Sequence, residues 1–136
     1  MNMKRWALAG LAAFAVLFVL DFIVHGNLLT GLYQQTSLIW RPQFEARKLM
    51  PLMTLGQLIF GMVFAWFYTL GYESKKRGAG QGLRFGFYVG LLLAAEKNFV
   101  WFVVLPIPFV LNFAWLASCF MNSLILGVVV GLIYKT

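Results

Sequence analysis

Charge is what this sequence has least of. Of 136 residues only 11% are Asp, Glu, Lys or Arg, against 62% hydrophobic, and the mean hydropathy is +0.82. A chain so poor in charge cannot cover a water-facing surface, which excludes a soluble globular protein and indicates an integral membrane protein. The one cysteine, Cys119, excludes an intramolecular disulfide and a thiolate metal cluster, and reads as a small buried apolar residue. The one histidine, His25, excludes bis-histidine haem ligation inside a single chain. Alternation of apolar and polar residues over about ten positions, the mark of a transmembrane β-strand, is missing. No small-x-small cleavage site follows the basic start Lys4-Arg5, so the first apolar run reads as an uncleaved helix.

What is present is four apolar runs, roughly Trp6–Leu29, Leu49–Tyr72, Leu83–Leu105 and Phe109–Tyr134. Each has the ~20 residues that a helix needs to cross a bilayer core of about 30 Å. The fold class expected is therefore an all-α membrane protein, a four-transmembrane-helix bundle forming a single domain over residues 1–136. Lys4, Arg5, Lys75, Lys76, Arg77, Arg84 and Lys135 fall at one set of helix ends, and Arg41, Arg47 and Lys48 at the other. Seven against three predicts N-in, C-in by the positive-inside rule. The net charge of +7 expresses that rule and attraction to anionic headgroups; with no soluble domain to present a basic face, it argues against nucleic acid as a partner.

Between the first two runs, over about 30–41, Leu32, Tyr33, Thr36, Ile39 and Trp40 recur at helical spacing around Gln34, Gln35 and Ser37. This pattern predicts an amphipathic segment that lies on the outer surface or continues the first helix, with Tyr33 and Trp40 at the interface. Arg41-Pro42 stops it. Pro42 or Pro51 suits the first turn of the next helix; if that helix already starts near Phe44, Pro51 kinks it. The stretch Glu73 to Gly82 reads as a flexible, basic, solvated turn, and Pro106-Ile-Pro108 as a tight link making the last two helices antiparallel neighbours.

Those two helices carry small residues at four-residue spacing, Gly82, Gly86 and Gly90 on one and Gly127 and Gly131 on the other. Such stripes let backbones approach closely where lipid removes the hydrophobic drive for association. They predict a hairpin pinched at its cytoplasmic half, with Phe99, Trp101, Phe102, Trp115 and Phe120 holding it wider outside; a dimer face is the alternative use of the same stripes.

Each run also holds polar residues in its outer half: Asp21 and His25, Thr54 and Gln57, Glu96 and Lys97, Ser118 and Asn122. Counting 1.5 Å per residue from the cytoplasmic ends puts Asp21 about 22 Å deep and Glu96 about 18 Å, nearly one level. An ionised group in hydrocarbon costs at least about 2.5–3.5 kcal/mol, so these side chains are expected to meet one another, water or a ligand. Asp21, His25, Gln57, Glu96, Lys97 and Asn122 thus form a candidate ligand or ion pocket, with Lys97 as counter-ion and His25 as a proton acceptor near neutral pH. Haem or chlorin binding through His25 is a minor alternative needing a dimer or a partner. A metal site is not expected, since one imidazole and two carboxylates lie on two helices without i, i+3 or i+4 repeats.

The stretches His25-Gly-Asn-Leu-Leu29 with Tyr33, Trp40-Arg-Pro42, Gly56-Gln57, Gly82-Leu-Arg-Phe-Gly86 and Pro106-Ile-Pro108 resemble a group of small four-helix bacterial membrane proteins of unknown function. The resemblance implies a bacterial inner-membrane location and brings no activity. The expectation is a non-catalytic accessory or structural subunit of a membrane assembly, or a homo-oligomer. A carrier or receptor with an outward-facing polar pocket is the runner-up, and a membrane-embedded enzyme the third reading.

Overall fold

The structure, a computed structural model, describes residues 1–135 and contains five α-helices and no strand among them. The first helix, α1 (Met3–Ile23), starts under a side-chain cap, the Arg5 N–H donating to Asn2 Oδ1 at 3.1 Å. It runs on through a π-helical turn (Val24–Leu28). A short α2 (Thr30–Gln35) and a 3₁₀ turn (Ser37–Ile39) lead to α3 (Gln43–Leu70), α4 (Gly78–Val104) and α5 (Phe109–Ile133). Met3–Leu28, α3, α4 and α5 are each long and apolar enough to cross a membrane. At 1.5 Å per residue they measure about 37–42 Å, longer than a bilayer core of about 30 Å.

Helix ends depart from the apolar runs, because hydropathy marks where a helix enters hydrocarbon and not where its hydrogen bonding begins. α3 starts at Gln43 rather than near Leu49, immediately after the extended Pro42, so Pro51 lies inside the helix and leaves the Arg47 carbonyl without its helical donor. α4 starts at Gly78 rather than near Leu83. Glycine there costs helix propensity of about 1 kcal/mol per residue relative to alanine, and tertiary contact overrides it. Gln81 is the anchor: it accepts from the Glu73 N–H at 2.8 Å and donates to the Glu73 and Lys76 carbonyls at 2.9 and 3.0 Å. The link after α3 is therefore a solvated turn, as expected, but one tied at three points by Gln81 where its composition suggested flexibility.

The segment after α1 is not one amphipathic helix. The π turn and the break at Thr36 fold it back, so that Leu29, Leu32, Tyr33, Ile39 and Trp40 pack on Leu105, Ile107, Leu111, Ala114 and Trp115. It covers the tight Pro106–Pro108 link instead of lying apart from the bundle.

α5 is the common neighbour of the other long helices, with α4 on one side and the α1–α3 pair on the other. α4 and α5 meet backbone to backbone. A Cβ on Gly78 or Gly82 would strike the carbonyl of Gly131 or Gly127, and the reverse holds for both partners. Farther along, the first atoms a Cβ on Gly90 would meet are side-chain atoms, Ser123 Cβ at 2.9 Å and the Phe120 ring at 3.1 Å, so the helices part as side chains enter between them. α1 and α3 cross at two glycines that belong to no glycine repeat: a Cβ on Gly61 would stand 2.8 Å from the Gly10 carbonyl oxygen and from the Phe14 nitrogen. At this end Ala9, Ala13, Phe64, Ala65, Tyr68, Leu126, Val130 and Tyr134 form the main core. Both ends of the described chain lie there, with the Asn2 N–H donating to the Tyr134 hydroxyl at 3.3 Å. At the opposite end α3 leaves the bundle: from Gln43 to Gly56 only Ala46 and Thr54 are even partly covered.

Candidate functional site

Asp21 projects from α1 into the region where α3 and α5 approach it. Its Oδ2 accepts from Gln57 Nε2 at 2.7 Å and its Oδ1 from Asn122 Nδ2 at 3.1 Å. One carboxylate thus ties three helices through two charge-assisted bonds, each oxygen satisfied by an amide from a different neighbour. The Gln57 Oε1 atom is buried and has no partner, an unsatisfied acceptor one amide away from the carboxylate.

One turn along, the π-helical turn changes the register. Its i+5 hydrogen bond, from the Leu29 N–H to the Val24 carbonyl at 2.9 Å, turns the following residues relative to an α-helical course. His25 and Asp21, four residues apart and expected on one face, share no hydrogen bond or ion pair among the described residues. His25 Nδ1 is instead 2.6 Å from the Tyr33 hydroxyl, which accepts from Trp115 Nε1 at 2.7 Å. An indole N–H is a donor only, so the Tyr33 oxygen must accept it. The hydroxyl keeps a donor and a second lone pair, so the His25 contact is made either by its proton on Nδ1 or by an Nδ1–H on its oxygen. Trp40 closes the cluster, edge-on to Tyr33 at 5.6 Å and 5.8 Å from Trp115, with its own N–H on Thr36 Oγ1 at 2.8 Å. Burial pushes the Tyr33 hydroxyl pKa up and the Asp21 charge adds to this, against the lowering effect of the Trp115 bond.

The structure therefore brings Asp21, Gln57 and Asn122 together and places His25 in an adjacent cluster. Glu96 and Lys97 join neither. Thr54 and Ser118 turn back to carbonyls of their own helices, Met50 and Trp115, at 3.1 Å each. Lys97 is exposed, on a flank within electrostatic reach of His25 and Cys119 but bonded to neither. Glu96 points the other way. The α4 residues buried on α5 recur every fourth position, Gly82, Gly86, Gly90, Ala94 and Asn98, and Glu96 lies two residues from the last two. At 100° per residue that is about 200° round the helix. Leu92, Phe99 and Val103 share its side and are 71%, 64% and 85% exposed.

Sequence reasoning missed the central role of Tyr33 and Trp115, having read Tyr33 as an interfacial anchor and Trp115 as packing. A signal was there: Trp115 and Asn122 are seven residues apart, two turns on one face of α5, and that face meets Tyr33 of α2 at one level and Asp21 of α1 at the other. It also missed Asn98 and Asn112, both buried on the α4–α5 hairpin; Asn98 donates to the Ala94 carbonyl at 2.8 Å, and Asn112 Oδ1 has no partner.

A second polar region lies at the end of the bundle where Asn2 meets Tyr134. Glu73 receives Lys76 Nζ at 2.7 Å and Arg84 Nη2 at 3.4 Å, and the Lys76 hydrogen bond leads in holding its carboxyl below the usual carboxylate range. A shallow depression of about 280 Å³ beside it is lined by Lys76, Arg77, Gly80, Gln81 and Arg84. No family model, curated protein or solved structure matches this chain.

Proposed function

We propose that this is a multi-pass protein of a bacterial inner membrane, N-in and C-in, serving as a non-catalytic accessory or structural subunit of a membrane assembly. The observation that carries this reading is the Asp21 carboxylate, whose two oxygens are each taken by an amide of a neighbouring helix. A group engaged in that way fixes how α1, α3 and α5 sit together and leaves its strongest acceptor sites committed. The seven-to-three distribution of basic residues between the two sets of helix ends supports the orientation. The test is purification in mild detergent followed by native mass spectrometry. A stoichiometric complex with other membrane proteins is the expected result; a solitary monomer that turns over a small molecule would sink the reading.

One observation favours a carrier or receptor instead, the partnerless Gln57 Oε1 beside Asp21. Together with the carboxylate it offers two oxygens to a proton or a small cation, beside Asn122 and next to the His25–Tyr33 cluster. In that case proteoliposomes should show proton or cation flux that Asp21→Asn and Gln57→Leu abolish. Unchanged permeability in all three proteins counts against it.

A further inference from the structure

α4 turns its small-residue face to α5, and Phe85 beside that face meets Phe64 and Tyr68 of α3. The opposite side of α4 carries an ionisable group with no partner of its own among the described residues. Glu96 lies eight residues from the end of α4, about 12 Å along the axis and beyond the reach of a glutamate side chain to that helix end. A carboxylate directed from there into hydrocarbon is strongly disfavoured, so the face requires a cover that supplies positive charge at the same depth.

This chain supplies such a charge at the next residue. Glu96 and Lys97 point about 100° apart and do not face each other on one helix. Two copies inserted in the same sense are related by a twofold axis along the membrane normal, which brings residue 96 of one within about 1.5 Å of the height of residue 97 of the other. The spacing suits that arrangement. Glu96, Val100 and Val103 follow one another at intervals of four and three, the spacing of a seam for a parallel helix pair, and all three are exposed on the side of α4 turned away from α5. Val100 is 49% exposed and Lys97 flanks the seam next to Glu96. In such packing a side chain at the position of Glu96 enters a hole bordered by the partner residue equivalent to Lys97.

The geometry points to a homodimer in which the outward face of α4 packs on the same face of a second copy, held by two reciprocal Glu96–Lys97 pairs. It rests on the reading that this protein works as part of a membrane assembly and names the first partner in it. Because each pair joins opposite charges across the axis, exchanging the two residues preserves the pairing, whereas reversing either one sets like charges together.

The experiment uses the full chain reconstituted in lipid bilayers at a range of protein-to-lipid ratios, with self-association read by energy transfer between labelled copies. Glu96→Lys and Lys97→Glu should each weaken dimerisation by about tenfold or more, an order of magnitude being ~1.4 kcal/mol. The double exchange Glu96→Lys/Lys97→Glu should restore it, and Glu96→Gln, which adds no repulsion, should fall between. In a Cys119→Ser background, Val100→Cys should form a disulfide between copies on oxidation, whereas Leu11→Cys on the exposed side of α1 should not. A wild-type chain that stays monomeric at every ratio overturns the dimer, even when it copurifies with other membrane proteins, a result that leaves the subunit reading standing. So does dimerisation that single reversals leave untouched, or a double exchange that folds with wild-type thermal stability and fails to associate.

Discussion

Replacing Asp21 separates a structural carboxylate from a working one. In Asp21→Leu both bonds are lost, and the amides of Gln57 and Asn122 are left without an acceptor. Polar contacts between transmembrane helices contribute about 0.6 kcal/mol on average and about 1.7 at most, so two of them amount to roughly 1–3 kcal/mol. Asp21→Asn behaves differently. Its remaining oxygen can accept from Asn122, and its new N–H can donate to Gln57 once that amide turns over and presents Oε1, the atom that has no partner in the native protein. The flip keeps two contacts and removes a buried charge, so the expected loss is about 1 kcal/mol or less. Reversible unfolding of the two variants in the same detergent, followed by steric trapping or by loss of helical signal, gives both numbers on one scale. Should Asp21→Asn destabilise as much as Asp21→Leu, or leave stability intact while a binding or flux signal vanishes, the negative charge itself is what the protein uses. The structural account of this residue then fails.

Three further outcomes follow from the same coordinates. Gly82→Val or Gly127→Val places side-chain atoms where the opposing carbonyl stands, and is expected to lower stability by at least the ~1–3 kcal/mol typical of overpacking; Gly56→Ala, with open space at its Cβ, should leave the melting temperature unchanged or raise it slightly. Tyr33→Phe strands the Trp115 N–H and frees His25 Nδ1, costing about 1 kcal/mol and changing the nitrogen chemical shifts of the His25 ring; unaltered shifts would refute the His25–Tyr33 contact. The Glu73 carboxyl is held below its ordinary 4.5 by the Lys76 hydrogen bond first and by Arg84 after it. A lowered folded value means that this contribution is complete above about pH 4.5 and is lost as the pH falls through the folded value. An NMR titration of the Glu73 side-chain carboxyl should give a midpoint below 4.5 in the native chain and a higher one in Lys76→Met; equal midpoints would refute the pairing.

The number of long helices was legible in the sequence because hydropathy reports on the solvent of each segment, and four runs of sufficient length admit few arrangements in a bilayer. Glycine spacing was equally informative for α4 and α5, since a four-residue repeat of small side chains is a property of one helix face alone. Gly10 and Gly61, which let α1 and α3 cross, belong to no glycine repeat, and their pairing appears only when the two helices are set against each other. The polar layer divides in the same way. Depth follows from counting residues, so Asp21, Gln57 and Asn122 could be placed at one level; direction depends on the rotation of each helix about its axis. That rotation is set by contacts between helices and, for His25, by a π turn that no hydropathy pattern records. Composition and periodicity thus determined that this chain builds an all-helical bundle of membrane-spanning length with ionisable groups within it. Tertiary packing alone decided that Asp21 turns inward to two amides while Glu96 turns outward to an uncovered face, because the close approach of glycines commits one side of α4 to α5 and leaves the other side free.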